Sequence, residues 1–306
     1  MKSSLLGALI SMIGQSCSAL GMNLQRYAHT MKTSAPLIKR WPFILGVACT
    51  ALTEAFNFVA LSFAPVSTIA PLGSLSIIFS AIFGQLFFSE NVKPKGIQGI
   101  ILISCGTILT VINGPSNSKD LTVDEFQEVL KSPSKIVYFG LLVSIMVLLF
   151  IFGGNNLYMT IGLASISAGN SVTLSKALAV FVKLSITVQN QLASLLPYCV
   201  LLFIIGSVIL QVNRLNKAME THKAYVVNSL YFVMLTTMSI INSTILYGDM
   251  ILLTASGMLL FFSGCLLMCV GVFLLSAEKG SNAKDDEENA AFIEHKIESN
   301  EKVEII

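Results

Sequence analysis

Charge is what this sequence has least of. Asp, Glu, Lys and Arg make up 12% of its 306 residues, against about 25% in an ordinary soluble domain. So little polar material cannot cover a water-facing globule, and it points to lipid as the outer solvent. Histidine is nearly missing: His29, His222 and His295 are the whole set, and all lie outside the apolar runs. No His/Cys/carboxylate cluster therefore offers itself to a transition metal. There is no histidine for a Ser-His-Asp site, no intramembrane Asp pair and no glycine-rich phosphate loop, so neither an enzyme nor a bound cofactor is expected. The six cysteines, Cys17, Cys49, Cys105, Cys199, Cys265 and Cys269, lack the paired spacing of a zinc site or disulfide framework, and read as small buried thiols. The net charge of +2 comes with no basic stripe for nucleic acid.

Apolar helix is what the chain has in abundance. Crossing a bilayer core takes roughly 20 apolar residues of helix, and these runs are too long and continuous for barrel strands. About nine spans are expected, near Leu5–Leu24, Pro42–Phe63, Val66–Phe88, Ile97–Ile112, Ile136–Phe152, Leu157–Val182, Leu195–Val212, Tyr225–Tyr247 and Ile251–Ser276. The breaks carry turn chemistry: Ala64-Pro65, Asn91 to Gly96, Asn113-Gly114-Pro115, Gly153 to Asn156, and Gly248-Asp249. The reading is all-α, a polytopic membrane helical bundle.

Met1-Lys2, the apolar stretch and Cys17-Ser18-Ala19 have the outline of a cleaved signal peptide. The loop that follows argues otherwise. It holds Arg26, Lys32, Lys39 and Arg40, and basic loops stay inside, which favours an uncleaved first span with the amino end outside. On that topology nine basic residues are cytosolic, the others being Lys93, Lys95, Arg214, Lys217 and Lys223, against five outside: Lys2, Lys119, Lys131, Lys135 and Lys183. The segment 278–306, with Asp285-Asp286-Glu287-Glu288, cannot bury a core and is expected to be a disordered cytosolic tail. In the outer loop 114–135, Thr122 and Glu125 have capping-box spacing, and Val123, Phe126, Val129 and Leu130 recur at helical spacing. A short amphipathic helix at the membrane surface is predicted there.

A shift of 158–159 residues overlays the third and fourth spans on the eighth and ninth, with Gly99 and Gly106 echoed by Gly257, Gly264 and Gly271. Glycines seven apart lie on one helix face and admit a close neighbour. Matching spans five apart must face opposite ways, which predicts an inverted repeat with a solute site near the midplane. The expected organisation is a first repeat over 1–113 (four helices), the outer loop 114–135, a second repeat over 136–277 (five helices) and the tail.

Polar groups inside the spans mark the candidate pathway. Glu54 lies mid-span, where a charge costs roughly 2.5–3.5 kcal/mol on insertion scales, so it should face the bundle interior or water. Asn57 is one turn on, on the same face. Lys176 is the clear internal cation, preceded by Asn170, Ser171, Thr173 and Ser175; its purely structural reading is a salt bridge with Glu54 or a stem that snorkels outward. Ser229, Thr236, Ser239 and Ser243, with Asn242 alongside, stripe the eighth span, and Ser11, Gln15, Ser18 and Gln25 the first. Polar groups on four helices suggest a wet cavity, though serines and threonines also serve simply as interhelical glue.

Several ordered stretches resemble the NIPA-type magnesium transporters of the drug/metabolite transporter superfamily. They are Thr53-Glu54-Ala55-Phe56-Asn57-Phe58, Phe63-Ala64-Pro65, Pro71-Leu72-Gly73-Ser74-Leu75-Ser76, Phe88-Ser89-Glu90, Ser171 to Ala177, Gln211 to Ala218, and Tyr231-Phe232-Val233 with Thr236-Thr237. The resemblance spans nearly all of 1–277. Asn228-Ser229, Glu90-Asn91 and Gly248-Asp249 depart from the pattern, and His222-Lys223 makes its loop more basic. The resemblance implies an inverted-repeat drug/metabolite transporter-like fold and divalent-cation transport, chiefly magnesium, at the plasma membrane or endosomal membranes. Mg²⁺ prefers oxygen ligands and keeps several waters beside one or two carboxylates. Glu54 and Asn57 are then the candidate metal ligands, Asn170 and Asn213 further oxygen donors, Lys176 the charge partner, and Thr236, Ser239 and Asn242 part of the pathway wall. The expected partners are the bilayer, Mg²⁺ or another small solute, and a second copy of the chain. A small-metabolite carrier, with Lys176 holding an anion, and a non-transporting adaptor working through the acidic tail remain alternatives.

Overall fold

The computed structural model describes residues 2–31, 39–88, 94–115, 119–152, 156–221, 224–251, 253–275 and 277. The acidic tail, Glu90-Asn91 and His222-Lys223 lie outside the described residues. Ten helices run in order: α1 Lys2–Thr30, α2 Trp41–Phe63, α3 Val66–Leu72, α4 Leu75–Phe88, α5 Pro94–Asn113, α6 Val123–Lys131, α7 Pro133–Phe152, α8 Leu157–Thr187, α9 Leu196–Thr221 and α10 Ala224–Tyr247. An eleventh, α11, covers Ala255–Leu275. The molecule is an all-α polytopic membrane bundle, with eight helical segments among the described residues long and apolar enough to cross a bilayer.

The sixth expected span, α8, falls outside that eight although it has 31 residues. It is less apolar because Thr160, Ser165, Ser167, Asn170, Ser171, Thr173 and Lys176 are all buried along it, facing other helices rather than lipid. The contrast with α7 is sharp: only Leu142 is buried there. A helix surrounded by protein has no need of an apolar surface, and one bathed in lipid needs little else.

Two expected spans differ in detail. The third is not one helix. Pro71 removes a backbone donor, and the chain turns tightly through Gly73 and Ser74, where Ser74 N–H and Oγ–H both donate to the Pro71 carbonyl, at 3.1 and 2.9 Å. The seventh extends well beyond Val212, so Arg214 and Lys217 ride on the end of α9 rather than in a loop. The surface helix forms as predicted: Thr122 Oγ1 accepts from Glu125 N–H at 3.3 Å while the Glu125 carboxylate accepts from Thr122 N–H at 2.8 Å.

The six cysteines depart from expectation. None is fully buried, and Cys105 and Cys199 are exposed. In lipid an apolar run hides its residues from water without turning them inward, so hydrophobicity cannot distinguish the two.

Packing follows the glycines. A Cβ at Gly7 or Gly21 of α1 would come within 2.7 Å of Ala64 or Gly46 on the α2 side. On α5, Gly99 faces Gly271 and Gly106 faces Gly264 of α11, while Gly257 lies near the Asn113 carbonyl. As one number rises the other falls, so α5 and α11 run antiparallel. α1 packs on α2 and α4, and α8 on α9 and α10, with α2 against α8 and α3 against α10 joining the two groups.

Candidate functional site

Glu54 sits on α2 on the same face as Val47 and Leu61, seven residues to either side. Burial changes along that face. Val47 is 47% exposed, Glu54 is exposed, and Leu61 is 4% exposed, closed into the core with the α8 residues Ala177 and Phe181. That face is therefore exposed toward the amino end of α2 and packed closed toward its carboxyl end. Although the Glu54 side chain is exposed, it lies deep among the helices, within electrostatic reach of Tyr231 on α10. One turn on, Asn57 Oδ1 accepts from Gln15 Nε2 at 3.3 Å and Ser11 Oγ at 3.5 Å, both on α1.

The seal is built from two lysines of α8. Lys183 donates to the Asp120 carboxylate at 2.7 Å and to the Ser62 carbonyl at 3.1 Å, with its ammonium 5.6 Å from the Phe63 ring. Lys176 donates to the Ala64 carbonyl at 3.3 Å. Phe126 of α6 packs edge-on against Phe181, with centroids 5.5 Å apart. The end of α2 is thereby clasped to α8 and α6.

Lys176 lies under the influence of a different carboxylate. Among the described residues, the strongest opposite charge acting on it is Asp249, not Glu54. Asp249, just past α10, is 1% exposed and accepts hydrogen bonds from Ser243 Oγ and, at 3.4 Å, from Ser67 Oγ. Asp120 adds attraction to Lys176 and Lys183 adds repulsion. Sequence reasoning passed over Asp249 as a loop residue beside Gly248. Its one signal was an acidic residue at a short turn between two long apolar runs.

The remaining candidates divide. Asn242 and Asn170 meet directly, Nδ2 donating to Oδ1 at 2.8 Å, and Tyr138 Oη donates to Asn242 Oδ1 at 2.6 Å. Both asparagines line an apolar cavity of about 290 Å³ walled by Phe126, Phe139 and Phe203, which neither Glu54 nor Lys176 reaches. Thr236 and Ser239 are buried, and their hydroxyls find no partner among the described residues, as do those of Ser165 and Ser167 on α8. A buried hydroxyl without a partner costs about 1–3 kcal/mol, so each of these favours a polar partner beside it. Asn213 is exposed on α9. The predicted residues thus form separate clusters rather than one ring of ligands, and among the described residues no three His, Cys, Asp or Glu side chains converge as a metal site.

Among known proteins, the chain is 29% identical over 283 residues to NIPA-like protein 2 of Mus musculus, covering 90% of this chain and 74% of that protein. It is 30% identical over 251 residues to magnesium transporter NIPA3 of Homo sapiens, covering 80% of this chain and 61% of the relative. A probable magnesium transporter, NIPA1 of Arabidopsis thaliana, is 30% identical over 239 residues, covering 76% and 71%. The chain thus spans less than two thirds of the length of the human relative and nearly three quarters of the mouse one. No solved structure matches. The sequence model of the magnesium transporter NIPA family matches residues 3–281, from the first helix to just past α11, and this chain belongs to that family.

Proposed function

We propose that the chain carries Mg²⁺, or a closely similar hydrated divalent cation, through the groove beside Glu54 by alternating access between two inverted repeats. The observation that carries this reading is the burial gradient from Val47 through Glu54 to Leu61. A mid-membrane carboxylate is tolerable when its surroundings are hydrated, and this one lies between an exposed and a buried stretch of one helix face. Family membership supports transport rather than enzymatic chemistry.

Nine crossings, with α8 the sixth, are supported by two contacts. The carboxyl end of α8 meets the α6 side through Lys183–Asp120, and Gln191 beyond it accepts from Val123 N–H at 3.0 Å. Since α7 leaves the α6 side and crosses, α8 has to cross back. The antiparallel α5–α11 contact asks for the same parity, because the fourth and ninth spans point oppositely whereas the fourth and eighth do not. The repeat also extends further than the sequence reading took it. A shift of about 158 residues relates α1, α2, α3–α4 and α5 to α8, α9, α10 and α11 in order, leaving α7 as the crossing that inverts the second copy.

On this reading the two copies are in different states. α2 packs on α8, but the equivalent α9 and α1 make no comparable contact among the described residues. A pseudo-symmetric pair closed at one end and apart at the other is what alternating access requires. With the amino end outside and the carboxyl end cytosolic, this conformation is closed to the outside and open inward. The third span, broken at Gly73 and Ser74, fits the same type of carrier. A plasma or endosomal membrane is the proposed location.

Uptake into liposomes containing the purified full chain tests the proposal, with Mg²⁺, Ca²⁺ and Mn²⁺ compared. Glu54→Gln is expected to abolish Mg²⁺ uptake while leaving the protein inserted; unchanged uptake in that variant removes Glu54 from the pathway. Flux of organic anions without flux of Mg²⁺ would favour the metabolite carrier. That reading is disfavoured by the engagement of Lys176 with Asp249 and the Ala64 carbonyl.

A further inference from the structure

Glu54 is not the only carboxylate held among the helices in the described residues, and the second, Asp249, has a built surround. Asp249 accepts from Ser67 Oγ of α3 and Ser243 Oγ of α10. Lys176 of α8 attracts it, and the same ammonium takes the Ala64 carbonyl at 3.3 Å and lies 5.1 Å from the centroid of the Tyr247 ring. Tyr247 is itself held by a 2.9 Å hydrogen bond from Oη to the Thr173 carbonyl. A carboxylate held by two hydroxyls, beside an ammonium that also meets a carbonyl and an aromatic face, brings together the donor types of a cation site.

We infer that this cluster is a second cation site, in series with the Glu54 groove, whose occupant in this conformation is the tethered Lys176 ammonium and from which an arriving divalent cation displaces it. The inference rests on the carrier reading above.

Electrostatics gives the reason for such a device. A buried carboxylate stripped of its counter-charge is strongly destabilising, so Asp249 needs a cation in every conformation. Lys176 supplies one that cannot diffuse away. The elements bearing the site are also those joined by the seal: Lys176 bonds the carbonyl just past α2, and Ser67 belongs to α3, directly after it. If α8 withdraws from α2, Lys176 loses the Ala64 carbonyl and is drawn from Asp249, while Asp249, Ser67 and Ser243 keep their oxygens together. Mg²⁺ takes oxygen donors with several of its own waters, so one carboxylate and two hydroxyls suffice. Its double charge outcompetes a single ammonium. Return of Lys176 would then expel the ion and close the outer end behind it.

The test reads binding rather than transport. Thermal unfolding of the purified full chain in detergent is followed against MgCl₂, with choline chloride holding ionic strength constant, for wild type, Lys176→Gln, Asp249→Asn and the double variant. Because a ligand of the folded state raises its midpoint, the titration reports affinity. Lys176→Gln should be stabilised by Mg²⁺ with a half-saturating concentration about tenfold lower than wild type. That gain should vanish in the double variant. If Lys176→Gln folds only when Mg²⁺ is present, the same conclusion follows. An unchanged Mg²⁺ response in Lys176→Gln, or a gain that persists in the double variant, overturns the site and leaves a structural ion pair. Repeating the series with Glu54→Gln separates the two proposals: loss of uptake tests the groove, and the Mg²⁺ gain on removing Lys176 tests Asp249.

Discussion

Gly106 and Gly264 face each other so closely that a Cβ built on Gly106 would lie 2.5 Å from the Gly264 carbonyl oxygen, and one built on Gly264 would lie 2.8 Å from that of Gly106. These two residues are also equivalent under the repeat shift. Under the inverted repeat proposed above, a pseudo-two-fold axis passes through a contact of this kind, since only residues near the axis touch their own counterparts.

Stability should register that contact. Gly106→Ala places a methyl against backbone that cannot yield cheaply, and a loss of about 1–3 kcal/mol is expected. Gly140 and Gly206 have nothing within 4 Å of a built Cβ. Alanine at either should be neutral, or stabilising by up to about 1 kcal/mol through helix propensity. Thermal midpoints in detergent separate the outcomes; equal effects at Gly106 and Gly140 would dissolve the tight α5–α11 interface.

The side of the membrane reached by α8 can be read by labelling. In a variant lacking the six native cysteines, Asp124→Cys and Asn190→Cys should react with an impermeant maleimide from the same face, and Lys39→Cys from the other. Labelling of Asp124→Cys and Asn190→Cys from opposite faces would mean that α8 does not cross.

Tyr138 is expected to matter through its hydroxyl. Tyr138→Phe removes the 2.6 Å donor to Asn242 Oδ1, whose residue is fully buried. The cost should be about 1–3 kcal/mol. Tyr158 is 66% exposed, so Tyr158→Phe should leave the unfolding midpoint unchanged.

Acid should loosen the α6 cap. Hydrogen bonds from Thr122 N–H and Oγ–H hold the Glu125 carboxyl below its ordinary value of 4.5. A group depressed in the folded state contributes its stability above 4.5 and loses it as pH falls through the lowered folded value. Amide exchange over Val123–Lys131, corrected for intrinsic rate, should be slower in wild type than in Glu125→Gln at neutral pH. The difference should disappear once the carboxyl is protonated. A difference that survives in strong acid would assign the protection to something else.

How much of this molecule could be read along the chain varies with the range of the forces involved. The α6 cap was legible because Thr122 and Glu125 are three residues apart and bond as their spacing demands. The seven-residue glycine spacing on α5 and α11 likewise reported a close helix contact, since periodicity on one face is a local property. The break at Gly73 was present in Pro71 but was overruled by the continuous hydropathy around it. The cysteines misled because lipid and protein interior are equally apolar, and composition does not say which of them a side chain meets.

Span-by-span hydrophobicity, the turn chemistry between spans and the depth of Glu54 follow from the order of residues, since bilayer thickness and backbone hydrogen bonding constrain each helix separately. The rotation of each helix about its axis, and so the partners across it, came from packing among all of them. Lys176 and Asp249 stand 73 residues apart, and nothing local links them. Their meeting, like the gradient from Val47 to Leu61, arises because α2, α3, α8 and α10 pack together at one end of the bundle, where buried charge must find its opposite.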